Sequence, residues 1–441
     1  MARHRPARRS LWALLGAVAG AFTAGREGPR LREGLLCQPL CSPARGSLFT
    51  GRYPHANGLM GLSHLGWEYH SEERTLPMHL SALGYRTVLV GLQHESSDAS
   101  TLGYHEVDDL NAEAQYASVV AELAAIRIAR LAAAGDPFFL SVGMFEPHRP
   151  YPAELYSGVD PQDVVVPPYL PDTAEVREDL AAYAAAVAVA DAATGRVLRA
   201  IEDAGVAEDT IVVFTTDHGV AFPGAKSTLH DACLEVALIV RVPGAAAGRT
   251  DRLVSHVDLV PTLLDLLGRP IPDGVQGVSF ADALHGAGGA RPREAVFGEK
   301  NWHDPQQYDP SRTIRTDRYR LISTWADMPQ TPLPGDIASS PSAAALPEAE
   351  RDRVRPRVEL YDLQADPAEQ RNLAEEPAFA RVLAAHLEEL HDWQERTGDP
   401  LRHGPIRAPR TMGDIRTPVR GRATETPLAF RTAPIAGADP R

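Results

Sequence analysis

The reactive chemistry of this sequence is concentrated in a few residues. Of 44 basic side chains only Lys226 and Lys300 are lysine; every other is arginine. A chain that uses arginine so widely keeps lysine where a guanidinium will not serve, because an ammonium is compact and can be tuned to release a proton. Lys226 has chemically active neighbours, whereas Lys300, in Glu299-Lys300-Asn301-Trp302-His303-Asp304, is equally consistent with a surface position. Cys37, Cys41 and Cys233 form no disulfide framework and leave room for one reactive thiol. His94, His148 and His218 each lie just past a strand-like run, with Asp217 beside the last. One histidine at a strand end is usually structural. Three with a carboxylate at one sheet edge suit metal binding or proton transfer.

The elements that must position them alternate. Residues 74–84, 111–134, 174–204 and 258–268 read as helices, and 85–91, 137–145, 210–217 and 237–242 as apolar, β-rich strands. That alternation predicts an α/β fold, a mostly parallel sheet flanked by helices on both faces. Ligands in such sheets sit beyond the carboxyl ends of the strands. After residue 295 the texture changes to short strands at 295–299, 319–323 and 358–363, an irregular Pro/Ala/Ser-rich excursion at 326–357, and a helix at 377–396. Its apolar stripe is Phe379, Val382, Leu383, Leu387, Leu390 and Trp393. A smaller C-terminal α+β domain follows, an antiparallel sheet with one covering helix. The expected division is 1–36, an atypical N-terminus; 37–294, the catalytic domain; 295–400, the smaller domain; and 401–441, a Pro/Arg-rich tail without periodicity.

Bulk properties narrow the partners. A chain of 441 residues, 44% hydrophobic, has ample material for a large core. A net charge of -14 argues against nucleic acid, whose phosphates need a basic face. Arg3, Arg5, Arg8 and Arg9 precede the apolar run Leu11 to Ala24, the layout of a secretory signal and too short to span a bilayer comfortably. A wrongly chosen start or shifted reading frame explains the same segment. The compartment, cytoplasmic or exported, stays open, and no later stretch reads as transmembrane.

The run Cys41-Ser42-Pro43-Ala44-Arg45, continuing GSLFTGRYPHANG, resembles the C-x-P-x-R signature of formylglycine-dependent sulfatases. Glu146-Pro147-His148, Thr216-Asp217-His218-Gly219, the run from Val254 to Gly268 and Glu359-Leu360-Tyr361-Asp362-Leu363 resemble the same family. HANGLMGL (55–62), PFFLSVGMFEPHRP (137–150) and FTTDHGVAFPGAK (214–226) resemble its heparan N-sulfatase branch, the N-sulfoglucosamine sulfohydrolases. The resemblance implies an alkaline-phosphatase-like fold and hydrolysis of sulfate esters or N-sulfates of a sugar. It also implies that a formylglycine-generating enzyme oxidises Cys41 to formylglycine. Arg45 would stand beside that group, and Asp217, His218 and position 41 would hold Ca2+ or Mg2+. His94, His148 and Lys226 would face the sulfate. A hydrated aldehyde supplies two hydroxyls on one carbon, one to attack sulfur and one to collapse and expel sulfate. His148 and Lys226 would hold sulfate and protonate the leaving group, with His94 the base for collapse.

The sequence departs from that pattern in three places. Sulfatases open with a strand ending in paired aspartates, but the first Asp here is Asp98. That strand belongs mid-sheet, so its loss predicts an exposed core and weak metal binding. Leu92 stands where relatives carry a sulfate-binding lysine, and Lys300 or His303 are the candidate substrate-binding replacements. His218 replaces an Asn of the heparan N-sulfatase pattern and is shared with many sulfatases and phosphonate monoester hydrolases. The rival readings are therefore a phosphonate monoester or phosphodiester hydrolase, and a catalytically impaired, truncated sulfatase-like protein.

Overall fold

The computed structural model describes residues 29–31, 34–108, 110, 115–246, 248–250, 252–285, 293–303 and 307–409. The signal-like run and residues 410–441 of the Pro/Arg-rich tail lie outside the described residues.

The apolar run RTVLVG forms β1 (Arg86–Gly91), buried from Thr87 onward. It pairs in parallel with β2 (Glu106–Asp108) on one side and β3 (Phe138–Gly143) on the other. A second group pairs β4 (Val212–Thr215) with β5 (Leu238–Arg241), and here the strands are antiparallel. Short parallel pairs join 29–31 to 248–250 and 34–35 to 254–255. The sheet is thus mostly parallel but divided.

Side-chain alternation along the strands fixes what covers them. Phe138, Leu140 and Val142 of β3, with Val88 and Val90 of β1, meet one face of a long helix over Ala117–Ala134. Phe139 points the other way, onto Leu76, Leu80, Val260 and Leu264. Numbered in chain order, the helices are α1 (Cys41–Thr50), α2 (Leu76–Ala82), α3 (Ala117–Ala134), α4 (Ala174–Asp203) and α5 (Leu259–Leu266). Leu180, Tyr183 and Val187 of α4 pack with Phe214 of β4. Leu266 of α5 packs with Leu238 and Val240 of β5. Both strand groups therefore lie between the same helical layers. Among the described residues β3 pairs only with β1, and β4 only with β5. Residues 138–142 and all of β4 are only half-buried. By length and composition α4 could cross a membrane, but Ala185, Ala186, Ala190 and Ala193 are buried inside the protein.

The C-terminal sheet is a simple antiparallel meander of β6 (Val296–Trp302), β7 (Tyr308–Arg315), β8 (Tyr319–Thr324) and β9 (Val358–Asp362). Strand β7 was not anticipated, since YDPSRTIR lacks an apolar pattern. A terminal helix, α6 (Ala380–Thr397), buries Leu390 and Trp393 on Phe297, Ile314, Leu321 and Leu360. The opposite face meets the first region through Ile322, Tyr361 and Leu363 against Leu36, Leu229, Leu234 and Val236. The excursion at 326–357 is more regular than its composition suggests, with short helices at Gly335–Ala338, Pro341–Ala344 and Glu348–Arg351.

Candidate active site

Cys41 is the first residue of α1, buried, at the positive end of a ten-residue helix with no acidic residue in its first turn. Unpaired N–H groups and the helix dipole favour an anion at such a place. His218 lies just beyond the carboxyl end of β4, and its Nε2 is 3.1 Å from Cys41 Sγ. The Nδ1 of His218 is 2.8 Å from Gly219 O, an acceptor only, so Nδ1 carries the hydrogen. That tautomer turns the Nε2 lone pair toward Cys41. Burial lowers the pKa of His218, which favours the neutral ring.

Asp217 completes a group of three ligand atoms, with Cys41 and His218, all within 4.8 Å of one another. Burial works to raise its pKa, but His218, Arg45, Lys226 and His148 outweigh it and bring the carboxyl to about 2. Arg45, one helical turn after Cys41, donates to Glu95 at 3.2 Å and to Leu92 O at 3.2 Å.

The second half of the site is a lysine–histidine–carboxylate cluster. Lys226 Nζ is 2.6 Å from Asp336 Oδ2 and 3.4 Å from His148 Nε2. His148 Nδ1 donates to Arg149 O at 2.6 Å, leaving Nε2 to face the lysine. Burial opposes the charge on Lys226, but Cys41 and Asp336 outweigh it and raise its pKa. Burial and then Lys226 lower His148. His303 is held down to about 3 by burial, then by Lys226 and Lys300, which places it in the same electrostatic cluster.

Lys300 is not brought into the pocket. It is fully buried, and its Nζ donates to Asp309 at 2.7 Å and to Ser227 O at 2.6 Å. Ser227 has a left-handed backbone, φ 72°, which is costly for a non-glycine residue. Lys300 thereby anchors the strained residue that follows Lys226, so the two lysines belong to one construction. His94 stands at the rim, its ring stacked on His64 with Nε2 2.9 Å from His64 Nδ1. It joins the centre through its backbone, which receives Ser63 Oγ and donates to Glu95.

Sequence reasoning missed Glu95, Asp336 and His256. Asp336 sits in the excursion, where no periodicity marks it. His256 is buried beside Thr215 of β4 at 3.0 Å, and burial lowers it to about 4; only its place in VSHVD hinted at a role.

Comparison with known proteins decides the family. A family model described as Sulfatase matches residues 19–269, more than half of the chain. The chain belongs to the sulfatase family. Its members are sulfuric ester hydrolases with an alkaline-phosphatase-like fold. A second model, N-sulphoglucosamine sulphohydrolase, C-terminal, matches residues 222–342. The human N-sulphoglucosamine sulphohydrolase is 30% identical over 82% of this chain and 82% of its own length. A protein solved in complex with its substrate D-glucosamine-2-N,6-O-disulfate shares the fold, with TM-score 0.64 and 19% identity over 88% of this chain and 93% of that one. A phosphonate monoester hydrolase from Silicibacter pomeroyi also shares it, with TM-score 0.68 and 21% identity over 88% of this chain and 90% of that one.

The donor set limits which ion the centre suits. Calcium takes six to eight oxygens, whereas the grouped atoms are one carboxylate, one imidazole and one sulfur. Among the described residues this is one corner of an ion site rather than a calcium cage.

Proposed function

We propose that this sulfatase cleaves sulfate from a sulfated sugar, as an ester or N-sulfate, with the formylglycine form of Cys41 as nucleophile. One observation carries the reading: the ligand atoms of Cys41, His218 and Asp217 lie within 4.8 Å of one another, and the adjoining Lys226–His148 pair acts on the same Asp217 carboxylate. When formed, the aldehyde supplies a hydrated carbon bearing the attacking hydroxyl. His218 Nε2, its lone pair directed at position 41, is a ligand atom for an ion there. Protonated Lys226 would bind a sulfuryl oxygen and, with His148, supply a proton to the departing atom. Arg45 helps keep Asp217 ionised, and Asp217 and His218 are the residues that would hold a divalent ion beside position 41.

The test is a panel of 4-nitrophenyl sulfate, glucosamine N-sulfate and a nitrophenyl phosphodiester. The enzyme is to be made beside a formylglycine-generating enzyme and checked by peptide mass for exchange of sulfur by oxygen at Cys41. Sulfate release that Cys41→Ala abolishes supports the reading. Turnover of phosphorus esters alone would replace it with the phosphonate monoester hydrolase, a reading that His218 also accommodates. Cys37→Ala should retain activity.

A further inference from the structure

Strands β3 and β4 are exposed in a way that an uncovered sheet face cannot explain. Neighbouring residues of a strand point to opposite faces, so a strand with one bare face shows alternating burial. Residues 138–142 of β3 are instead all half-buried, and so are all four residues of β4. Strand β1, which has a partner on each side, is buried from Thr87 to Gly91. The exposure of β3 and β4 therefore comes from their edges.

Both faces of the two strands are covered, and by the same helices. Phe139 of β3 shares a cluster with Val260 and Leu264 of α5, while Val213 of β4 shares one with Leu266 of that helix. On the other face Val197 of α4 joins the cluster of Leu140 and Val142, and Val187 of α4 joins that of Phe214. A helix is about 10 Å across and paired strands lie about 4.8 Å apart, so two helices that each reach both strands leave room for one strand between them. Covered strand edges carry backbone N–H and C=O groups that need partners. His256, buried against Thr215 at the end of β4, also has Nδ1 without a partner among the described residues.

The slot constrains what can fill it. A strand with helices on both faces must be apolar on both, without alternation. Leu11–Ala24 is such a run: its 14 residues carry no charge, and Thr23 is its one hydroxyl. Residues 29–31 lie against β5, the partner of β4, so the preceding chain enters beside that pair. The four residues between Ala24 and Pro29 allow up to about 17 Å of chain, more than about three strand spacings.

We propose that the slot between β3 and β4 binds a strand of about six residues drawn from Leu11–Ala24 of this same chain. Strand β3 leads to His148, and β4 leads to Asp217 and His218. A strand seated between them sets how these residues face one another, so the N-terminal run governs the geometry of the catalytic rim. The proposal is independent of which ester the site cleaves.

The experiment is hydrogen exchange of the full chain, read by peptide mass spectrometry after intact mass has shown where the folded protein begins. The amides of Phe138–Gly143, Val212–Thr215 and Leu11–Ala24 should exchange slowly together. Val18→Asp places a charge in the slot and should speed exchange in all three by about tenfold or more, while Tyr319–Thr324 of β8 keeps its protection. Arg8→Asp, outside the run, should change none of them. Should Val18→Asp fail to fold, a photoreactive benzophenone side chain at Phe22 in the otherwise native chain gives a second reading, with crosslinks expected to β3 or β4. Fast exchange in Leu11–Ala24, or crosslinks confined to other segments, overturns the inference. Protection of β3 and β4 that falls on dilution also overturns it, giving the slot to a second copy. A folded protein that begins beyond Ala24 overturns it as well, since the run would then be a removed leader.

Discussion

Strands β7 and β4 invert the usual relation between polarity and burial. All eight residues of β7 are buried, although Asp309, Arg312 and Arg315 are among them. All four of β4, Val-Val-Phe-Thr, are only half-buried. The difference lies in their partners. Strand β7 runs between β6 and β8, and its charges are matched: Arg312 to Asp399 at 2.6 and 2.7 Å, Asp309 to Lys300 and Arg355, and Arg315 to Asp231. Strand β4 has one partner, and its second edge is unpaired among the described residues. Burial follows neighbours as much as hydrophobicity. The C-terminal sheet anchors Lys300 and through it the turn after Lys226. Two of the strands that lead to the catalytic rim, β3 and β4, are mostly half-buried among the described residues.

The largest test of this contrast is Asp399→Ala. It removes the bidentate partner of buried Arg312 and leaves it only Glu299, 4.0 Å away, as a counter-charge, at a cost of up to about 3 kcal/mol. Denaturant unfolding should show this, and a loss of less than about 1 kcal/mol would mean that the network is not what holds the sheet. Phe214→Ala in β4 should cost less, about 1–2 kcal/mol, because the ring is only half-buried and truncation removes less buried surface. A cost equal to that of Ile314→Ala in β7 would erase the contrast.

Buried histidines and buried carboxylates should lose their contributions in different pH windows. His303 and His256 are neutral when folded, with pKa values depressed by burial to about 3 and about 4 from an ordinary 6.5. The unfolded chain therefore binds more protons below pH 6.5, and stability present above that value is lost as pH falls toward 4 and then 3. Asp309 and Asp399 are depressed further, since Lys300 and Arg355, and Arg312, outweigh burial. Their contribution is complete above the ordinary carboxylate range near 3.8 and is lost only below it. Unfolding free energy followed against pH in wild type and His303→Gln should show the variant flattened between pH 6.5 and 4; an identical slope would remove His303 from the account. The smallest effect belongs to Arg371→Ala, which breaks an exposed pair with Glu376 and should shift stability by about 0.5 kcal/mol or less.

Where hydrophobic pattern and secondary structure coincide, the sequence was legible. The run Arg86–Gly91 reads as a buried strand and is one, and the helix read at 174–204 is α4 to within a residue. Cys41, Asp217 and His218 were legible because their motif types are chemically unusual. Strand β7 was not, because a strand buried by ion pairs carries no apolar period. Asp336 was not, because nothing local distinguishes one carboxylate in a Pro/Ala/Ser-rich stretch.

By itself the sequence determined the chemistry available: one marked thiol, histidines past strand ends and two lysines retained among arginines. Only the tertiary structure decided which of these meet. It set His218 against Cys41 across 177 positions and Asp336 against Lys226 across 110, while drawing Lys300 into a support beneath the pocket. The physical reason is that side-chain identity is local, whereas hydrogen-bond distance between far-apart residues is fixed by how sheets and helices pack.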